Sequence, residues 1–238
     1  MTAVRAPWRR MSIAAGAAVL AVAPLLVSCS SDSSSDATPD QLAGRLETAK
    51  QQLDDAASIK FDLSADELPD GVTGLLDASG TGTHDPAFQG NVSVSAMGGV
   101  DADVIAVGSD VWAKISFSPT YVPVDPTDLG APNPATLFDP QDGVTSLLTS
   151  TENLEAGDET RDGDLVLTTV KGTLPGDVVQ RLIPTADASA DFDVEYRLTD
   201  DDALHDATMV GPFYGDAGDV TYTMSLTASD ESVDITAP

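Results

Sequence analysis

Basic residues are scarce in this sequence, cysteine is nearly absent, and aromatic side chains are few. Only 11 of the 238 residues are Lys or Arg, against 39 Asp and Glu, which gives a formal net charge of −28. Such a field repels phosphate backbones and excludes nucleic acid as a partner. One cysteine, Cys29, cannot form an intramolecular disulfide. The two histidines, His84 in Thr83-His84-Asp85-Pro86 and His205 shortly after Asp200-Asp201-Asp202, lack the spacing of a zinc site. No Gly-x-Ser-x-Gly elbow surrounds any serine. Gly80-Thr81-Gly82 is not followed by the Gly-Lys-Ser/Thr of a phosphate loop. The acidic stretch Asp158 to Asp164 lacks the alternating ligands and closing glutamate of a calcium loop, and reads as a β-turn. Neither catalysis nor a metal or other cofactor is expected from these residues.

What is present begins with a leader. Arg5, Arg9 and Arg10 precede a run from Met11 to Val27 that carries no charge. The run is too short and too rich in alanine for a permanent span, which needs about 20 apolar residues, and it fits a secretory signal peptide over residues 1–28. Its end, Leu26-Val27-Ser28-Cys29, has the form of a lipobox: an aliphatic residue and smaller ones before a cysteine that takes a diacylglycerol. Cys29 is therefore the expected lipidation site, and the outer face of the cytoplasmic membrane the expected location. Residues 29–37 are rich in Ser and Asp and read as a flexible tether. With 42% hydrophobic residues, the chain has enough aliphatic material for a folded body over 38–238.

That body opens with a helix. Thr38-Pro39-Asp40-Gln41 offers an N-cap, a proline at N1 and a capping-box glutamine, and Leu42, Leu46, Ala49, Leu53 and Ala57 follow at helical spacing. The period then changes to two. Strands are expected over 58–63, 72–82, 87–97, 100–107 and 110–117, and again over 165–174, 192–199, 204–210, 220–227 and 233–236. Gly98-Gly99, Gly108-Ser109-Asp110 and Asp162-Gly163 supply turns at hairpin spacing. Asn133-Pro134 and Asp139-Pro140 each put a capping residue before a proline, the second leading into Val144, Leu147 and Leu148. Another helix spans 175–183 and stops at Pro184. This order predicts an α+β fold with helices on one face of a large curved antiparallel sheet.

The residues then reach a family. Gly90-Asn91-Val92 through Val100-Asp101-Ala102-Asp103-Val104 and Val111-Trp112-Ala113-Lys114 stand in the order seen in the actinobacterial lipoproteins LppX, LprA, LprF and LprG. So do Asn133-Pro134, Leu137-Phe138, Gly143-Val144, Lys171-Gly172-Thr173 and the Val178 to Ile183 stretch before Pro184. The chain resembles that family over most of its length after the leader, through order and spacing more than through any one motif. The resemblance implies a half-barrel of antiparallel strands with helices on its concave face, enclosing an apolar cavity for the acyl chains of lipids and glycolipids. It also implies carriage of such lipids from the cytoplasmic membrane toward the outer envelope, in some members beside a membrane lipid exporter. The heavy acidity here, including Asp200 to Asp202, departs from the family pattern.

Strand alternation names the candidate cavity residues. Val92, Val94 and Ala96 share one face, as do Val111, Ala113, Ile115 and Phe117, while Leu147 and Leu148 lie on the helix that the family would place as a lid. A wall of Val, Ala and Ile suits acyl chains, which gain roughly 0.8 kcal/mol for each CH2 removed from water. The same alternation also fills ordinary close-packed cores. A solid-cored envelope scaffold or adhesion lipoprotein, binding protein or cell wall, is thus the alternative to a lipid carrier.

Overall fold

The computed structural model describes residues 37–95, 99–115 and 118–238. Helix α1 (Pro39–Asp54) begins where the sequence signals it: the Gln41 carboxamide accepts from the Thr38 N–H at 2.8 Å and its hydroxyl at 3.0 Å. Leu42, Leu46, Ala49 and Leu53 are all buried, so one stripe of the helix is lost from water. Each such leucine contributes roughly 1.5–3 kcal/mol of apolar burial. The opposite side makes polar ties to the sheet. Arg45 pairs with Asp202, and the Gln52 amide donates to the Asp201 carbonyl at 2.9 Å. The acidic run at 200–202 is therefore a turn that binds α1, with Asp202 in the left-handed region at φ 59°.

Eleven strands follow: β1 (Ser58–Ala65), β2 (Leu75–Thr83), β3 (Ala87–Val94), β4 (Val100–Val107), β5 (Asp110–Ile115), β6 (Val122–Pro123), β7 (Glu152–Asp162), β8 (Leu165–Pro175), β9 (Asp191–Leu198), β10 (Leu204–Gly211) and β11 (Val220–Ser229). All pairings are antiparallel, in the order β6-β5-β4-β3-β2-β1-β11-β10-β9-β8-β7, and the sheet does not close. The first and last strands of the body, β1 and β11, meet at its centre, and the hairpins spread outward from there.

Two departures from the sequence reading are informative. Strand β7 has no signal in the residue order, because Glu152 to Asp162 lacks apolar alternation; it forms by pairing with β8 at the sheet edge, with two shifts of register. Conversely, 233–236 alternates but forms no strand. Its Ile235 instead packs on Ala87 and Ile105, a small apolar cluster on the sheet face opposite the main core.

The main core lies on the other face. There α1 packs with α2 (Ser146–Ser150), which also touches α3 (Gly176–Leu182), while a 3-10 helix over Pro134–Phe138 sits on β2, β3 and β4. The capping signals read at Asn133 and Asp139 both hold. The Asn133 side chain accepts from the Ala135 N–H at 3.0 Å, and the Asp139 carboxylate from Gln141 and Asp142 at 2.8 and 3.0 Å. These backbone donors, that of Asp142 foremost, hold the Asp139 carboxyl below the usual range.

Candidate functional site

Register decides which side chains share the helix-covered face. Leu63 of β1 stands opposite Met224 of β11 and Ala78 of β2. Ala78 faces Val92, Val92 faces Ala102, and Ala102 faces Ile115. One unbroken apolar row, Met224-Leu63-Ala78-Val92-Ala102-Ile115, therefore crosses six neighbouring strands. No charged side chain interrupts it. Leu75, Val94 and Val100 extend the wall by one more position toward the strand ends.

Burial along this face is graded. On β3, Phe88 is buried and Val92 and Val94 are half-buried; on β4, Ala106 and Val104 are buried and Ala102 and Val100 half-buried. Strand β5 repeats the trend from Val111 to Ile115 and β1 from Phe61 to Leu63, whereas on β11 the half-buried Met224 lies between buried Leu226 and Tyr222. On β3, β4 and β5 one end of the face is thus packed solid and the other keeps apolar surface in contact with solvent. The solid end holds Phe61, Phe88 and Phe138. A second aromatic group, Phe192, Phe213 and Tyr222, packs edge to face at centroid distances of 4.9 Å over β9 to β11.

The candidate residues sort onto this gradient. Val92, Val94, Ala113 and Ile115 belong to the half-buried wall, while Val111, Leu147 and Leu148 are buried in the main core. Leu147 and Leu148 lie on α2, where the Leu147 carbonyl accepts from the Thr151 hydroxyl at 2.8 Å and that hydroxyl meets Tyr196 at 2.9 Å. Burial, slightly offset by this bond, keeps the Tyr196 phenol well above its ordinary pKa. Ala96, Phe117 and Cys29 lie outside the described residues. Alternation alone missed Leu63, Met224 and Ala102. Their strands were read, but only the register across β11, β1 and β4 brings them into one row.

The opposite face is polar and carries clefts. The larger, about 770 Å³, is lined by Asp62, Asp77, Asn91, His205, Asp206 and Ser225 among others. A smaller one, about 490 Å³, lies beside the chain end against Thr81, Gln89, Tyr121 and Ile235. At the rim of the first, Asp206 accepts from Arg197 and from His205 Nδ1 at 2.8 Å. Burial works against its charge, but these bonds outweigh burial and leave the carboxyl below the usual range. His205 Nε2 faces Asp162 at 3.5 Å, so both ring nitrogens turn toward carboxylates. That arrangement is an ion-pair network. Among the described residues no group of His, Cys, Asp and Glu is placed to hold a metal ion, and no helix is long and apolar enough to cross a membrane.

Known proteins bear on this architecture. The LprF structure from Mycobacterium bovis superposes with a TM-score of 0.67 at 14% identity, covering 84% of this chain and 98% of that one. The Mycobacterium tuberculosis lipoprotein LppX gives a TM-score of 0.60 at 16% identity, over 84% and 100%. At these identities the likeness shows the shared fold. No curated protein sequence matches the chain significantly. The profile of the LppX_LprAFG lipoproteins matches residues 39–235, from the start of α1 to the Ile235 that closes the outer cluster. The chain is a member of the LppX_LprAFG lipoprotein family.

Proposed function

We propose that the protein is an envelope lipoprotein, anchored through a lipid on Cys29 at the outer face of the cytoplasmic membrane after removal of residues 1–28. The Ser- and Asp-rich tether over 29–37 holds the body at 38–238 off the membrane. That body takes up the acyl chains of lipids or acylated glycolipids on its helix-covered face and carries them toward the outer envelope, with a membrane lipid exporter as the natural donor. It acts as a carrier and not as an enzyme.

The single observation that supports this reading is the apolar row from Met224 to Ile115, half-buried at every position but Ala78. An apolar wall left partly wet at one end is unusual in a finished core and is what a flexible hydrocarbon ligand would cover. The energy scale is adequate, since roughly 0.8 kcal/mol per CH2 accumulates quickly along an acyl chain. Family membership supports the same reading.

The test is direct. Purified protein extracted with chloroform and methanol should release acyl lipid detectable by mass spectrometry, and should transfer a labelled lipid between vesicles. Protein that yields no lipid and accepts no acyl probe would overturn the carrier reading. The scaffold alternative would then stand, favoured by the polar clefts on the opposite face.

A further inference from the structure

The apolar wall has a floor. Gly80, Gly82 and Gly90 stand on its side of β2 and β3, with Gly80 directly opposite Gly90 and Gly82 opposite Phe88. Together they leave a notch free of side chains, and three phenylalanines fill it. Phe138 stacks on Phe88 at 6.0 Å and 6°, and Phe61 meets Phe138 edge-on at 5.9 Å. A Cβ on Gly82 would run into the Phe138 ring, and one on Gly80 would lie 2.7 Å from the tip of Phe88. Notch and rings are therefore matched in shape, and Phe138 is only 1% exposed.

Phe61 and Phe88 belong to the sheet, whereas Phe138 arrives from the 3-10 helix laid over it. Its backbone is pinned from outside the wall. His84 Nδ1 lies 2.7 Å from the Phe138 carbonyl and its Nε2 lies 3.1 Å from the Leu53 carbonyl at the end of α1. One imidazole thus joins the β2–β3 turn, the end of α1 and the residue that caps the notch.

We propose that Phe138, by backing the Phe88 ring, sets how long an acyl chain the inner face accepts. The inference rests on the acyl-binding reading above. A chain entering at the half-buried rim of Val94 and Val100 would run along the strands toward the Gly90 and Val104 level. Four strand residues separate the two levels, which is roughly 13 Å of wall. Over that distance each added methylene leaves water and should tighten binding about fourfold. Beyond it the tip of Phe88, which lies over Gly80 and Gly90, blocks the way, held there by the Phe138 ring stacked on it over Gly82, and further methylenes gain nothing.

A neutral ligand ladder reads this out without headgroup repulsion. Purified protein is titrated with monoacylglycerols from monocaproin to monopalmitin, each competing against a bound fluorescent apolar dye. The wild type should show affinity rising with chain length to a break and then flattening. Phe138→Ala should move that break to longer chains, and Phe138→Leu should move it less. Phe213→Ala, in the other aromatic group, should leave the break where it is. A break at the same length in wild type, Phe138→Ala and Phe138→Leu would overturn the stop. Should Phe138→Ala not fold, an unmoved break in Phe138→Leu overturns it alone. If no monoacylglycerol displaces dye from the wild type, acyl binding itself fails, and that result is distinct from a break that does not move.

Discussion

The hydroxyls of Tyr214 and Tyr222 meet at 2.6 Å, and both are bonded to the peptide of Leu75. The Leu75 N–H donates to Tyr214 at 3.1 Å and the Tyr222 hydroxyl donates to the Leu75 carbonyl at 2.8 Å. Tyr214 must then donate to Tyr222, and all three hydrogens are used around a closed ring. Burial first, and the neighbouring Tyr214 second, push the Tyr222 phenol up, so it stays protonated and able to donate. Removing that hydroxyl breaks two of the three bonds. Tyr222→Phe should cost about 1–3 kcal/mol. A urea midpoint that falls with an unchanged m-value would confirm it; an unmoved midpoint would mean that water replaces the hydroxyl at no cost.

The wall and the core differ in what they tolerate. Val92 is half-buried on the open part of the inner face, and Val111, also on that face, is 5% exposed. Val92→Trp should fold with a near-wild-type melting curve but lose extractable lipid, because the indole occupies the ligand's place. Val111→Trp should lose about 1–3 kcal/mol through overpacking. Equal destabilisation of the two variants would show that the graded burial has no counterpart in ligand binding.

Much of this architecture can be read from residue order, and the exceptions have physical causes. Val100–Val107 forms a strand with the expected bounds because Val100, Ala102, Val104 and Ala106 keep one face apolar throughout and Gly108 follows in the left-handed region. Glu152–Asp162 gives no such signal, since an edge strand owes its existence to one neighbour and its own side chains remain mostly in water. Val233 and Ile235 alternate like a strand, yet only Ile235 finds apolar partners and the segment has no backbone ladder. For the candidate site, alternation identifies which residues share a face within a strand. It does not distinguish Val92 from Val111, because a packed wall and an open one follow the same period. That difference arises from what lies over the sheet: the Phe138 helix packs on β2, β3 and β4 at the buried end.

The anchor has its own test. Cys29 is the only cysteine, so Cys29→Ala should abolish incorporation of radiolabelled palmitate and leave the precursor uncleaved by the lipoprotein peptidase. A variant that still partitions into detergent with a labelled acyl group would place the anchor elsewhere.

Acid should weaken the outer-face network in a defined direction. The Asp206 carboxyl is held below its ordinary value by Arg197 and His205 against the cost of burial. A depressed carboxyl contributes stability above the unfolded pKa, and that contribution is lost as pH falls through the folded one. At neutral pH, Asp206→Asn should therefore cost about 1.5–3 kcal/mol. Below about pH 4 the wild type loses its advantage and the two melting temperatures should converge. A gap that stays constant down to about pH 3 would show that geometry, and not charge, is what Asp206 supplies.

Strand β7 leaves one long edge of the sheet unpaired, and its two register shifts and exposed Glu152, Glu155, Asp158, Glu159 and Asp162 would have a consequence for a body tethered as proposed above. Lipid-anchored proteins share a surface, where each meets its own kind at high local density and in similar orientation. A flat, uncharged edge under those conditions would template strand-to-strand addition from one molecule to the next. Here the shifted backbone spoils the ladder and like charges oppose any second edge brought alongside. With the anchor proposed on Cys29, the acidity takes a lateral role: it would let many copies crowd a bilayer leaflet and still move past one another as separate molecules.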